Sequence, residues 1–355
     1  MRRVLSVVGT RPNLMKTAPV VAALERRGID QVLVHTGQHY DDAMSDVFFR
    51  ELGILEPDHF LAVGSGTHAQ QTARVMERLE PVLLAEQPDL VLVPGDVNST
   101  MAAALVAAKL EIPIGHIEAG LRSFDRTMPE ERNRVVTDSV SDLLFIHSPE
   151  ARDNLLREGR PEESIHYVGN TMIDTLVAMR DRFDSGTRSG QLVVTLHRPA
   201  LVDGPLLADA MRALRDVAKE MPVVFPVHPR TRAAAEAQGI EIPGAIDPVG
   251  YLEFLGLVAA AGAVLTDSGG IQEETTFLGT PCFTLRDNTE RPITVEMGTN
   301  VLLGLRPERI AELPQLIASA GSRAASIPPL WDGSAGERVA DVVASQSLIR
   351  RRSCR

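Results

Sequence analysis

Short apolar runs alternate with amphipathic helical patterns along nearly the whole chain, and that rhythm restricts the fold more than any other feature. A run of four or five apolar residues between turn formers reads as a strand buried on both faces. Helical segments between such strands serve as crossovers, which makes the sheet parallel and covers it on both sides. Strands are expected over residues 4–8, 31–35, 90–93, 114–116 and 143–146, with helices over 15–27, 68–86 and 100–110. Near residue 170 the rhythm restarts with a helix over 171–183 and a polar break over 184–190. Further strands follow over 192–195, 223–226, 263–265 and 282–285. The expected fold is α/β, with two facing Rossmann-like doubly wound domains over 1–169 and 170–335. The boundary falls at Gly169-Asn170, and a terminal helix within about 336–355 packs back on the first domain. A length of 355 residues agrees with two domains, at roughly 150 residues each. In two such halves the carboxyl ends of the strands would meet across one ligand cleft.

Composition narrows the function. Hydrophobic residues make up 44% and aromatics 4%, an aliphatic bias suited to parallel strands under helices. A formal charge of −11 argues against a nucleic-acid partner. It leaves room for a small anion, because local Arg, Lys and backbone N–H groups outweigh the global sign. Cys282 and Cys354 are far apart and form neither a disulfide framework nor a metal-ligand cluster. The opening apolar run, Val4 to Val8, is too short for a secretory signal and lacks a cleavage site. No membrane-length apolar stretch occurs, so a cytoplasmic, soluble protein is expected.

Nearly every chemically suggestive residue directly follows an expected strand. Gly9-Thr10-Arg11-Pro12 with Lys16 turns the first strand into a helix whose N-terminus and two cations form an anion site. An ordinary turn with two surface cations explains the same residues equally well. G-x-G-x-x-G is absent, so the dinucleotide fingerprint does not apply. Gly95-Asp96 follows the third strand, and taken alone Asp96 reads more readily as a helix cap. His116-Ile117-Glu118 ends the next strand, however, and Pro129-Glu130-Glu131 opens a later helix. Three acidic segments converging on one sheet edge suit proton removal and return.

In the second half, His197 and His228 each close a strand. Thr266-Asp267-Ser268-Gly269-Gly270 leads from a strand into a helix, and its exposed N–H groups suit a diphosphate. Glu274, one turn into that helix, is placed to accept ribose hydroxyls.

Taken in order from Gly9 to about Gly304, these segments resemble the non-hydrolysing UDP-N-acetylglucosamine 2-epimerases. Thr36-Gly37-Gln38-His39, Gly169-Asn170-Thr171, His197-Arg198 and Arg286-Asp287 with Thr289-Glu290-Arg291-Pro292 add to the match. The resemblance implies a glycosyltransferase-B architecture with the substrate between the domains, and a reversible C2 epimerisation. UDP would be eliminated to leave a 2-acetamidoglucal, then re-added with a proton delivered to the opposite face of C2. By motif position, Asp96, Glu118 and Glu130 become acid/base carboxylates, with Lys16 and His197 as polar partners in catalysis. Substrate contacts fall to Arg11, Lys16, Arg134, Asn170, His228, Ser268, Gly269, Gly270, Glu274 and Arg291. The implied partners are a UDP-amino sugar and UDP, the implied assembly is a homodimer, and neither cofactor nor metal is required. The carboxylates lie before residue 170 and the diphosphate cradle after it, so the halves are expected to close on the nucleotide, with Gly169-Asn170-Thr171, where the alternation restarts, as the hinge.

The chain departs from the family pattern at several positions. Ala200-Leu201 stands where the family has Glu-Asn after His197-Arg198, which points to a modified UDP-amino sugar as an alternative substrate. Asn13-Leu14 replaces a common Glu-Ala, Ile293 a frequent Glu, and Tyr40 the Arg that follows Gln-His in members activated by a second substrate molecule. A glycosyltransferase, a hydrolysing epimerase and a catalytically silent sugar-nucleotide sensor are the competing readings. The three carboxylates favour reversible proton transfer over the transferase and the sensor, whereas product analysis alone separates the hydrolysing epimerase.

Overall fold

The computed structural model describes residues 3–38, 56–183, 186, 188–320 and 325–346. His39, Tyr40, residues 184, 185 and 187 of the polar break and the last nine residues lie outside the described residues. The chain forms two compact units, Met1–Val177 with Pro329–Arg355, and Ala178–Pro328.

The first unit is built on seven parallel strands: β1 (Arg3–Val8), β2 (Asp30–His35), β3 (His59–Phe60), β4 (Leu90–Pro94), β5 (Ile114–Ile117), β6 (Leu143–Ile146) and β7 (Ile165–Tyr167). Their order is β3-β2-β1-β4-β5-β6-β7. Val4 pairs with Gln31 on one side and Leu90 on the other, so the order reverses between β1 and β4. Alternate side chains point to opposite faces of a strand, and the core divides accordingly. Val91 and Val93 pack with Val75 and Leu79 of helix His68–Glu86 and Ala103 of helix Asn98–Lys109. Leu90 and Leu92 pack with Val20 and Leu24 of helix Arg11–Arg26. Helices leaving β1 and β4 for opposite faces open a crevice at the strand carboxyl ends, where ligands bind in such sheets.

Helix Ala335–Ser345 completes the second face with Val339, Ala340 and Val343. Arg27 pairs with Asp341 at 2.6 Å and with Glu337 at 2.7 Å. Asp174 Oδ2 accepts the Gly336 backbone N–H at 2.7 Å and so ties down the start of this helix.

The division between units falls at Val177, eight residues past the expected boundary of Gly169, and helix Thr171–Ala178 explains the difference. Its Thr175 hydroxyl donates to the Met15 carbonyl at 2.6 Å, and its Asp174 holds the terminal helix. Gly169 has φ 91, and a Cβ there would lie 2.0 Å from the Leu330 carbonyl oxygen. Only glycine fits. The segment expected to be a hinge is therefore packed inside the first unit.

The second unit carries six parallel strands: β8 (Leu192–Thr195), β9 (Val223–Pro226), β10 (Ala245–Ile246), β11 (Ala263–Thr266), β12 (Cys282–Thr284) and β13 (Asn300–Leu302). The order β10-β9-β8-β11-β12-β13 repeats the reversal, here between β8 and β11. Leu192 and Val194 face Leu207, Met211 and Leu214, whereas Val193 and Val264 face Val258 and Ala261.

Each expected strand is present. The strands that sequence periodicity missed, β3, β7, β10 and β13, are the outermost of the two sheets. They have two or three residues and are mostly half-buried or exposed, too short to carry a pattern. No described helix is long and apolar enough to cross a membrane.

Burial pushes the Asp174 carboxyl up to about 6, against the lowering effect of the Gly336 and Ala335 N–H groups. A folded pKa above the ordinary carboxylate value stabilises the protein fully below about pH 4, and the gain disappears as pH rises through about 6. At most about 3 kcal/mol is involved, at 1.36 kcal/mol per unit. Asp174→Asn keeps the shape without the charge. Thermal melts from pH 4 to pH 7 should therefore fall less for the variant than for the native chain. Parallel curves would contradict this.

Candidate functional site

In the first unit the site is assembled by the turns that follow β1, β4 and β5. Asn13 fastens the first to the second: its Oδ1 accepts the Gly9 N–H at 3.3 Å and the Thr10 hydroxyl at 3.0 Å, and its Nδ2 donates to the Pro94 carbonyl at 2.9 Å. The residue that departs from the family pattern thus bridges the switch point between β1 and β4. Arg11 begins the helix after β1, with Pro12 beside it and Thr10 as an extended N-cap.

Lys16, buried on the same helix, forms an ion pair with Glu118, which is also buried. Glu118 follows β5 with φ 70, in the left-handed region that L-residues rarely occupy. Its N–H and that of Ala119 both donate to the Phe145 carbonyl at 3.0 Å, which fixes this turn. Gly95, φ 65, lies so close that a Cβ would meet Lys16 Nζ at 3.1 Å and Asn13 Nδ2 at 3.3 Å. Any side chain at 95 would press on the lysine, which explains the glycine before Asp96.

Asp96 pairs with Arg134, and the other arm of this guanidinium reaches Glu131 at 2.6 Å. Glu131 also accepts three hydrogen bonds, each 2.9 Å, from the Ser123 N–H and hydroxyl and from the Phe124 N–H. The second glutamate of the Glu130-Glu131 pair is thus the one that straps down the loop after β5. Glu130 is half-buried in the first turn of helix Pro129–Val140, and its side chain makes no hydrogen bond or ion pair among the described residues. Arg134, expected to contact substrate, has its charge committed to two carboxylates. Asn170 caps helix Thr171–Ala178 by accepting the Met172 N–H at 2.9 Å. With Glu118 and Gly169 it also lines a small pocket, as does His147, a residue that sequence reading passed over. His147 packs edge-on against Trp331, ring centroids 5.8 Å apart, and its carbonyl accepts the Trp331 indole N–H.

The second unit presents a different chemistry. Helix Gly269–Leu278 starts directly after β11, with Ser268 as an extended N-cap whose hydroxyl makes no hydrogen bond among the described residues. Its first N–H groups lack helical acceptors, as at any helix start, and favour an anion. Arg291 lies against this turn, since a Cβ on Gly269 would fall 2.5 Å from its guanidinium. Glu273 holds the same guanidinium at 3.0 Å, and Glu290 does so at 3.4 Å. Glu290 is itself clasped by Arg286 at 2.7 and 3.0 Å. Glu274 is buried and accepts the Tyr251 hydroxyl at 2.8 Å, which orients its carboxylate.

Asp267, nearly fully buried, accepts the N–H groups of His197 and Arg198 at 2.9 and 2.8 Å and pairs with His197 Nδ1 at 3.3 Å. His228 caps the next helix by accepting the Arg230 N–H on Nδ1. Burial, then the charges of His197 and Arg230, lower the His228 pKa, while Asp267 raises it. The hydrogen of this neutral ring therefore sits on Nε2. The two imidazole centroids are 5.7 Å apart. Leu201, one of the departures, is buried in the core of this unit beside Leu196, while Ala200 is exposed. This pair offers no polar side chain.

A family model described as UDP-N-acetylglucosamine 2-epimerase matches residues 22–344. The UDP-N-acetylglucosamine 2-epimerase of Methanococcus maripaludis is 40% identical, over 97% of this chain and 98% of its own length. The UDP-2,3-diacetamido-2,3-dideoxy-D-glucuronate 2-epimerase of Pseudomonas aeruginosa is 43% identical, over 96% and 99%. Among solved structures, the Methanocaldococcus jannaschii UDP-GlcNAc 2-epimerase in complex with UDP-GlcNAc and UDP is 40% identical. It covers 97% of this chain and 100% of its own, with a TM-score of 0.88. Fold, strand-end motifs and similarity over nearly the full length agree, and the chain belongs to the UDP-N-acetylglucosamine 2-epimerase family.

Proposed function

We propose that the chain interconverts UDP-N-acetylglucosamine and UDP-N-acetylmannosamine, by elimination of UDP and its re-addition. The observation that carries this reading is the pairing of Asp96 and Glu118 with buried cations on adjacent strand ends. A carboxylate takes the C2 proton, the electron pair forms the C1–C2 double bond, and the C1–O bond breaks with its pair on UDP. The reverse sequence delivers a proton to the other face of C2 as the UDP oxygen attacks C1. Asp96, Glu118 and Glu130 are assigned the proton transfers, and Lys16 balances the charge beside Glu118. Ser268, the N–H groups of Gly269 and Gly270, Arg291, His197 and His228 are assigned to the diphosphate, together with Arg11. Glu274, oriented by Tyr251, is assigned to the ribose hydroxyls. Arg134 and Asn170 act on the substrate through the groups they position. Proton chemistry of this kind requires no redox cofactor, and we propose a cytoplasmic homodimer as the working form.

A second reading is a related UDP-2-acetamido sugar. Ala200-Leu201 in place of two polar residues supports it, as does the Pseudomonas relative that is named for a diacetamido glucuronate. Relative kcat/KM for the two sugar nucleotides decides between the readings.

Turnover of UDP-N-acetylglucosamine, followed by NMR of the anomeric protons, should persist without nicotinamide cofactor and in the presence of a chelator. Dependence on nicotinamide cofactor, or loss of activity to the chelator, would overturn the mechanism. The variants should also separate two effects. Glu274→Ala and Ser268→Ala should weaken UDP binding by about tenfold or more, the cost of a lost hydrogen bond to a charged group. Asp96→Asn and Glu118→Gln should lower turnover by about 100-fold or more, on the scale of general acid–base catalysis. An unchanged rate in either carboxylate variant would refute the assignment.

A further inference from the structure

His116 lies on β5 two residues before Glu118, and its side chain is fully buried. Its Nδ1 is 2.6 Å from Asp138 Oδ1, and its Nε2 is 2.7 Å from the Gly95 carbonyl oxygen. Asp138, on helix Pro129–Val140, is fully buried as well. Its Oδ2 accepts the Gly120 N–H at 3.1 Å and pairs with Arg122 at 2.7 Å, and Arg122 also binds Glu158. Burial works to raise the Asp138 pKa, but His116 and Arg122 beside it prevail and hold it below the usual carboxylate range. A carbonyl oxygen only accepts hydrogen bonds, so Nε2 of His116 donates to Gly95.

These contacts grip the two turns that present the acid/base groups. The Gly95 carbonyl belongs to the peptide bond that leads into Asp96. The Gly120 N–H lies two residues beyond Glu118, whose own backbone is held at φ 70. Such a conformation persists only where the surroundings over-determine it. Gly115, on the same strand, is packed closely against Leu92 and Phe145, where a Cβ would lie 2.6 and 3.0 Å from their side chains.

We infer that His116 and Asp138 are positioning residues for the proton transfer, and that their buried pair fixes Asp96 and Glu118 in place by holding the Gly95 carbonyl and the Gly120 N–H. This inference rests on the assignment of Asp96 and Glu118 as acid/base groups. The pair touches no substrate atom and acts through the two turns.

Two measurements test it. NMR of the full chain labelled with [15N]histidine should show a hydrogen on His116 Nε2, and a bare Nε2 would overturn the inference whatever the substrate. Glutamine places an amide N–H where Nε2 donates to Gly95, whereas asparagine is too short to reach it. His116→Asn should therefore lower kcat for UDP-N-acetylglucosamine by about 100-fold, the scale of a misplaced catalytic group, and His116→Gln by only about tenfold. UDP affinity should stay within about twofold in both, as expected where the loss is confined to the transition state. Adding Asp138→Asn to His116→Asn should cost little more, because both act through one contact chain. Equal losses in the two His116 variants, or a parallel loss of UDP affinity, would reduce the pair to ordinary packing and overturn the inference. If His116→Asn does not fold, the native spectrum decides. An inactive native chain with a hydrogen on His116 Nε2 would refute the substrate assignment and leave the pair intact.

Discussion

Charge compensation at the carboxyl edge of the first sheet is the constraint on which the site depends. A carboxylate removed from water is costly unless a cation or several N–H groups meet it. Lys16 meets Glu118, Arg134 meets both Asp96 and Glu131, and His116 with Arg122 meets Asp138. Apart from Arg134 with Glu131, which share a helix, each pair joins different elements, so electrostatic balance and geometry are set together. Helix Arg11–Arg26 is tied to β5 through the lysine, and helix Pro129–Val140 to β4 through the arginine. Removing one partner from such a pair leaves a buried charge alone, and the cost then exceeds what the pair contributed.

The two units use one topology for two chemistries. In each, the strand order reverses beside the first strand of the unit, and the turns that follow the central strands carry the polar groups. The first unit fills those turns with paired carboxylates. The second fills them with an open helix start, two imidazoles and a buried arginine against Gly269. The contrast follows from residue type at equivalent positions: Gly95-Asp96 after β4, Ser268-Gly269-Gly270 near the end of β11.

Much of this was legible in the sequence, for physical reasons. Strands buried on both faces leave apolar runs such as Leu90 to Val93, and period-2 packing against two helix layers preserves them. The edge strands β3, β7, β10 and β13 were not legible, because two or three residues with partial burial leave no pattern. The site motifs stood out because glycine and charge cluster after strands. Their partners did not stand out. Nothing near Glu131 in sequence reveals that it straps Ser123 and Phe124, and nothing near Asn13 reveals its bond to Pro94, 81 residues away. The boundary at Gly169 was misplaced because glycine there serves close packing against Leu330, and the sequence of a tight contact looks like that of a flexible joint.

The central claim is that paired carboxylates of the first unit take the C2 proton and return one to the opposite face. Epimerisation run in deuterium oxide and stopped before equilibrium tests it most directly. The account predicts deuterium at C2 of the product sugar, since a proton held by Asp96, Glu118 or Glu130 exchanges with solvent. Product that retains the original hydrogen at C2 would contradict it.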